Sequence, residues 1–492
     1  MKIKFKTYFL VFIFLSVFSV SCSDSFVDTT EEYSIDSENY FNSEEDYYYA
    51  LISCYDILQS TYLNVILGEI ASDNTLCGGE SATDVTGWQQ VDDMIHTADN
   101  DYISDVWDWM FAGVQRCNYF MEFEGNMDFD GKDEYIGEVK FLRAYYFFEL
   151  VKWFGGIPLK IDERYEMGDE TTIERSTVAE VYDQIESDLL DAIDVLPVTA
   201  DQTGRVTLGA AQALLGKAYL YQEEFQNAAD VLDDVISSGT YSMESDYDII
   251  FEDEGENGSG AIFEVQYDET EGASFDCLNC SEGNVAVGFN GVRSYEGDYF
   301  SSGYGFNIPT QDAVDEFEDD DPRIDVAILD IEAWAESTGA TYSEGYEHTG
   351  YFNRKYLPRE RSDDASSDVN LTNPNNYRAI RYADVLLMAA EAYNRGGISD
   401  SKALSYVNMV RDRGFADTDH EISVTGDNLT AAIYHERRVE LLGEGQRFFD
   451  LVRTGYAADA IDGFTENKNE LFPIPDEEIE YSNGLWEQNP GY

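Results

Sequence analysis

The side chains that could do chemistry in this 492-residue chain are abundant in one class and scarce in the rest. The four histidines, His96, His348, His420 and His435, stand far apart, and none belongs to an H-E-x-x-H zinc helix. No G-x-S-x-G nucleophile elbow and no phosphate-cradling glycine loop occurs. Aspartates and glutamates number 99, so a pair suited to glycosidic cleavage could be chosen almost anywhere and its presence carries no information. Asn126, Asp128, Asp130 and Gly131 imitate the start of a calcium loop, but Gly137 stands where a bidentate glutamate should close it. That segment reads as an acidic turn before a helix. Cys277 and Cys280 have the spacing of a redox or zinc half-site, without a second cysteine pair or a histidine nearby, so a local disulfide stiffening a loop is the preferred reading. Cys54 and Cys117 fall on apolar helix faces and read as core. No catalytic residue, metal or cofactor is expected.

Export is legible at the N-terminus. Lys2, Lys4 and Lys6 precede an apolar run over residues 8–18 broken only by Ser16, and Ser19-Val20-Ser21 lead into Cys22. Residues 1–21 therefore read as a signal peptide, too short to cross a membrane. Small residues before a cysteine match the lipoprotein-processing box, in which Cys22 becomes the acylated first residue, although Ser19 departs from the usual leucine. Burial of two or three acyl chains, at about 0.8 kcal/mol per CH₂, makes such an anchor permanent.

The formal charge of −69, from those 99 acids against 30 lysines and arginines, repels nucleic acid and anionic membrane surfaces. No nucleic-acid partner is expected. Apolar residues make up 43% of the chain and aromatics 14%, with 35 Tyr and 29 Phe, which suits a large core and broad contact surfaces with polar tips. The length implies two or three sub-assemblies.

Positioning elements follow from periodicity. Residues 377–414 read as two helices folded back on one another: Ala383, Leu386, Leu387, Ala390 and Tyr393 form one stripe, Gly396-Gly397 the break, Ser399 a cap, and Ala403, Leu404, Val407 and Val410 the facing stripe. Small residues at close-packed positions make this a tetratricopeptide-like unit. Residues 208–221 with 225–237 form a second pair, 134–154 with 177–196 a third, and 47–58 with 102–123 a fourth, interrupted by a long loop. Their spacing is irregular, so the expected fold is mostly α, an irregular helix-pair scaffold, with minor β structure in a loop-rich region.

Five blocks carry a resemblance to the SusD/RagB family of outer-membrane nutrient-binding lipoproteins. They are EVKFLRAYYFFELVKWFGGIPL (138–159), GRVTLGAAQALLGKAYLY (204–221), RYADVLLMAAEAYNRGG (381–397), ERRVELLGEGQRFFDLVRTG (436–455) and LFPIPDEEIEYSNGLWEQNPGY (471–492). The organisation then reads as signal peptide 1–21, lipid-anchored tether 22–43, N-terminal helical region 44–243, loop-rich specificity region 244–376 and C-terminal helical region 377–492. The resemblance implies a cell-surface lipoprotein of the outer membrane that captures oligosaccharide and delivers it to a SusC-like TonB-dependent transporter. An oligopeptide ligand, as in the RagB-like branch, is the alternative; a glycoside hydrolase or a protein-binding helical scaffold are further ones.

Loops rich in Tyr and Trp on a helical scaffold offer flat faces for sugar rings, each contributing about 2.5 kcal/mol per ~100 Å² buried. The expected ligand-binding residues are Trp88, in the loop between early helices where the family often places a stacking aromatic, with Tyr295, Tyr299 and Tyr304 facing it from the non-repeat region. Asp73 and Asn74, with Trp334, are the fallback. Arg143, Arg381 and Glu391 are expected to pair with neighbours inside the helical stack instead of touching ligand.

Overall fold

The computed structural model describes residues 40–270, 274–359 and 368–492; the signal peptide, Cys22 and most of the tether lie outside them. Eight helices build the scaffold: α1 (Glu44–Asp56), α2 (Asp101–Glu122), α3 (Lys132–Phe154), α4 (Val178–Val195), α5 (Leu208–Tyr221), α6 (Phe225–Ser237), α7 (Tyr382–Arg395) and α8 (Asp400–Phe415). Each packs on the next, so the stack is continuous from α1 to α8 even though the chain leaves it after α6 and returns only at α7. The fold is mostly α, as expected.

Local chemistry sets the helix ends. Ser43 and Asp46 close a reciprocal capping box on α1, as Thr177 and Glu180 do on α4, and the Thr207 and Ser399 side chains accept from the Ala210 and Lys402 amides. Of the glycine pair after α7, only Gly397 is left-handed, with φ 62°. The small residues of α5 permit close approach: a Cβ built on Gly216 would lie 2.4 Å from Leu232 Cδ2 on α6. The stripes read from sequence are buried, including Leu386, Leu387, Ala390, Val407 and Val410, and each large one contributes about 1.5–3 kcal/mol. Cys54, Cys77 and Cys117 are buried free thiols, and Cys277 is bonded to Cys280.

One element differs from the expectation. Residues 377–381, read as the first turn of a helix, form a strand buried along its whole length. Among the described residues there are six short strands: β1 (Thr75–Cys77), β2 (Ala261–Val265), β3 (Asn307–Pro309), β4 (Ile328–Asp330), β5 (Tyr351–Asn353) and β6 (Tyr377–Arg381), paired antiparallel as β1 with β3, β2 with β6 and β4 with β5. The β2–β6 ribbon, with Ala261 opposite Arg381, ties the departing chain to the returning one.

Buried charges are paired. The Arg143 guanidinium on α3 donates to both Asp188 oxygens on α4, at 2.7 and 2.8 Å. Arg381 donates to Glu440 at 2.9 Å and to Glu444 at 2.7 and 2.9 Å, while Glu391 accepts from Arg453 at 2.7 and 2.8 Å. These residues act in the stack, as their motif positions predict.

Candidate functional site

The site region is assembled by the β1–β3 pair. Thr75 lies opposite Pro309 and Cys77 opposite Asn307, and the Gly78 and Gly79 amides extend the ladder by donating to the Phe306 and Gly305 carbonyls at 3.1 and 2.7 Å. The approach is so close that a Cβ on Gly78 would sit 2.1 Å from the Gly305 oxygen. This pairing sets the loop after the early helices against the region between α6 and α7, the juxtaposition that the sequence reading required.

It also decides the fate of Trp88. Residues 86–92, expected as irregular loop, form a short helix, and Trp88 is 1% exposed within it, packed edge-on against Tyr102, Phe289 and Phe306 at 4.9–5.6 Å. It turns no ring face to solvent and supports a ligand surface only from behind. That support is continuous: Phe289 meets Tyr304 at 5.7 Å, and Tyr304 meets Phe275 at 5.5 Å. Tyr304 is half-buried and Phe275 is 58% exposed, so an aromatic column runs from the core to a bare ring. Replacing Trp88 by alanine should cost about 3–5 kcal/mol through the cavity it leaves. Its indole N–H has no partner, so Trp88→Phe should cost far less and change ligand affinity by under about twofold; calorimetry with denaturant melts on both variants checks this.

Polar groups flank the bare end. The Arg293 guanidinium donates to the Tyr304 carbonyl at 2.8 Å and stands 3.7 and 3.8 Å from the exposed Glu80 and the partly exposed Asp84. A donor fork and two solvent-facing carboxylates beside an aromatic face are what a hydroxylated ring needs for orientation.

A second ledge lies on the same sub-assembly. Tyr299 is 41% exposed and holds φ 80°, a conformation that costs a tyrosine about 1–3 kcal/mol unless its surroundings impose it. They do: its hydroxyl donates to Glu252 at 3.0 Å, its ring rests edge-on against Phe300 at 4.8 Å, and Trp334 lies 6.1 Å away. Burial acts to raise the Glu252 carboxyl, but the Arg359 guanidinium, donating at 2.8–3.1 Å, and the Tyr299 hydroxyl hold it below its usual range. Tyr295 is buried, and its hydroxyl donates to the Asp298 carbonyl and accepts from the Trp334 indole at 3.0 Å; it braces the ledge without reaching the surface.

Asp73 and Asn74 belong elsewhere. They flank a cavity of about 1060 Å³ between residues 72–93, 310–316 and the segment 431–463. Asp73 lines it but is held by Arg447 at 2.7 Å, and buried Asn74 accepts from Arg438 at 2.9 Å, so both are engaged by the protein itself. Most charges of this cavity are similarly paired. Asp92, also in its wall, is pushed up to about 7 by burial. Among the residues expected at the site, Tyr304 and Trp88 pack in the main core cluster and Tyr295 in a smaller one with Phe300 and Trp334, beside which Tyr299 lies, while Asp73 and Asn74 are engaged by Arg447 and Arg438.

Family models match in two blocks that together cover most of the chain: one described as starch-binding associating with outer membrane over residues 25–220, and one for the SusD family over residues 259–470. Superposition on solved structures is decisive. A laminarin-binding SusD-like protein is 33% identical over 92% of this chain and all of its own, with a TM-score of 0.84. The chain belongs to the SusD-like family. Surface glycan-binding protein A from Bacteroides fluxus, 30% identical, matches over 92% of this chain and all of its own with a TM-score of 0.82. The Bacteroides thetaiotaomicron protein of that name, solved with laminarihexaose, is 25% identical over 91% of this chain and 99% of its own, TM-score 0.79. A SusD-like protein of Formosa agariphila is 27% identical over 94% of both chains. Within this SusD-like chain, sequence reasoning missed Phe275, Arg293, Glu80 and Asp84. Only the stapled Cys277–Cys280 loop beside Phe275 gave a hint, because the other three meet through the β1–β3 pairing.

Proposed function

We propose that this SusD-like protein is a non-catalytic, cell-surface binder of oligosaccharide, anchored in the outer membrane through Cys22, that passes its ligand to a SusC-like TonB-dependent transporter. The observation that carries the reading is the aromatic column ending in Tyr304 and Phe275 beside Arg293, Glu80 and Asp84. Tyr299 and Trp334 supply a second face on the same sub-assembly. Two ring faces burying roughly 100 Å² each contribute about 5 kcal/mol before ordering costs, which places affinity in the micromolar to millimolar range. Glucans of the laminarin type are the first ligands to test, given what the similar proteins bind.

A glycan array run beside a peptide library on the mature protein tests the reading. Capture of glycans with no peptide hits is expected; capture of peptides alone would move the protein to the RagB-like alternative, and turnover of a labelled glycan would make it an enzyme. The anchor has its own test. Cys22→Ala, expressed in a native-like host, should leave the membrane fraction and lose metabolic acyl label, because a signal peptide alone leaves no hydrophobic tether. Retention of label in that variant would overturn the lipid assignment.

A further inference from the structure

A second cavity, about 420 Å³, opens between α2, residues 158–173 and the C-terminal segment, and shares no residue with the aromatic faces described above. Its walls are Trp107, Phe111, Tyr165 and Trp486, with ring centroids 4.7 Å apart for Trp107 and Phe111, 5.7 Å for Phe111 and Tyr165 and 6.2 Å for Trp107 and Trp486. These rings are fixed in place. The Trp486 indole donates to the Ile173 carbonyl at 2.7 Å and the Tyr165 hydroxyl to the Pro158 carbonyl at 3.0 Å. Gln115 grips the Tyr165 backbone from both sides, accepting from its amide at 2.7 Å and donating to its carbonyl at 3.0 Å.

Five carboxylates line the same cavity, Asp108, Glu166, Asp169, Glu170 and Glu478; Asp169 is paired with Lys160 and Glu170 accepts from the Gly168 amide, while the solvent-exposed Asp108 and the half-buried Glu478 have no side-chain hydrogen bond or ion pair among the described residues. Elsewhere several carboxylates of this chain are matched with cations, as Asp188 with Arg143 and Glu440 with Arg381. Here no lysine, arginine or histidine lines the cavity, and the nearby Lys160 is already taken by Glu163 and Asp169 at 3.1 and 2.7 Å. Burial, then repulsion from Asp108, Glu170 and Glu477, pushes the Glu478 carboxyl up to about 7, and burial followed by Glu477 raises Asp108. Among the described residues no cation pairs with Asp108 or Glu478.

We propose that this cavity is a second ligand site, for an organic cation: an ammonium or guanidinium group carried on an apolar or planar body. The half-buried Phe111 and Tyr165 rings, backed by buried Trp107 and Trp486, offer cation–π faces, and the unpaired carboxylates beside them gain from a cation that completes their pairing. The volume suits one small ligand or one long basic side chain. A neutral sugar could stack on the same rings but would leave the repulsion between the carboxylates in place.

The probes are agmatine, an acetylated and amidated Gly-Gly-Arg-Gly-Gly peptide, and the same peptide with citrulline, the neutral isostere of arginine, titrated calorimetrically into the mature protein. Agmatine and the arginine peptide should bind, and the citrulline peptide should bind at least about tenfold more weakly. Tighter binding of agmatine assigns a free small amine as the natural ligand; tighter binding of the peptide assigns a basic side chain. The Asp108→Asn, Glu478→Gln double variant should lose at least about tenfold in affinity for both cations while its thermal midpoint stays level or rises, since it removes an unrelieved repulsion. Glu478→Gln alone should give a smaller loss in the same direction. Glycan affinity, read in parallel, should not change, which separates this site from the proposed glycan faces. Equal binding of the arginine and citrulline peptides, no binding of either cation at 10-fold millimolar excess, or undiminished binding in the double variant would each overturn the assignment.

Discussion

Replacing Arg381 by methionine is expected to lower the free energy of unfolding by about 3–5 kcal/mol, because it removes a guanidinium that two carboxylates share in the protein interior. Arg381 is 4% exposed, and its partners Glu440 and Glu444 are 0% and 2% exposed. Methionine keeps most of the volume, so the loss comes from the missing cation, with Lys355 left as the ion-pair partner of Glu444, and not from a cavity. Glu440 also serves Arg413 and Arg323, which ties α8, β6 and the helix Asp427–Leu441 into one network. The pH dependence carries a second signature. Burial works to raise the Glu440 carboxyl, but the guanidiniums of Arg413, Arg381 and Arg323, with Lys355, outweigh it and hold the group below its usual range. A depressed acid contributes stability that is complete above its unfolded value, about 4.5, and is lost as pH falls through the folded value. The stability difference between wild type and Arg381→Met should therefore be flat from neutral pH to about 5 and shrink below it. Denaturant melts across pH measure both effects. Glycan affinity per folded molecule should stay unchanged; a large loss in a fully folded variant would place Arg381 at the ligand.

Truncating the proposed stacking face should do the reverse, removing affinity while leaving the core intact. Tyr304→Ala and Phe275→Ala are each expected to cost about 1–3 kcal/mol of binding, or roughly 5- to 150-fold in affinity for the best array ligand. Phe275→Ala is the cleaner test, because its ring is more than half exposed and its loss opens no cavity. Tyr304 also packs on Phe289, so its removal should lower stability as well, by a measurable but smaller amount than Trp88→Ala. Arg293→Met should weaken binding by about tenfold and leave the stacking contribution in place, since its guanidinium holds the Tyr304 carbonyl and stands by the Glu80 and Asp84 carboxylates. Unchanged calorimetric affinity in Phe275→Ala and Tyr304→Ala would move the site to the Tyr299 and Trp334 ledge, where Tyr299→Ala then becomes the test.

What the sequence determined by itself is everything set by neighbours within a few residues. The helices Leu208–Tyr221 and Phe225–Ser237 begin and end where periodicity and caps place them, because Thr207 satisfies the Ala210 amide three residues on and a short break suffices to turn the chain. The same locality made Ser399 legible as a cap and Cys277–Cys280 as a bridge. Tertiary structure alone decided whatever depends on partners far along the chain. Residues 377–381 have no helical defect, yet they extend as a strand because Ala261–Val265, more than a hundred residues away, offers them a ladder. Trp88 reads in the sequence as a loop aromatic that either faces ligand or plugs the loop onto the scaffold, and Phe289 and Phe306, some two hundred residues on, close over its ring and decide for the second. Burial of an aromatic is settled by the surfaces that reach it, and sequence spacing does not encode which surfaces those are. For the same reason the Arg293, Glu80 and Asp84 cluster was illegible: its members come from two segments that meet only where β1 pairs with β3. Asp73 shows the converse, a carboxylate that reads as free in the sequence and is claimed in the fold by Arg447 and Arg438, from two helices more than three hundred residues later.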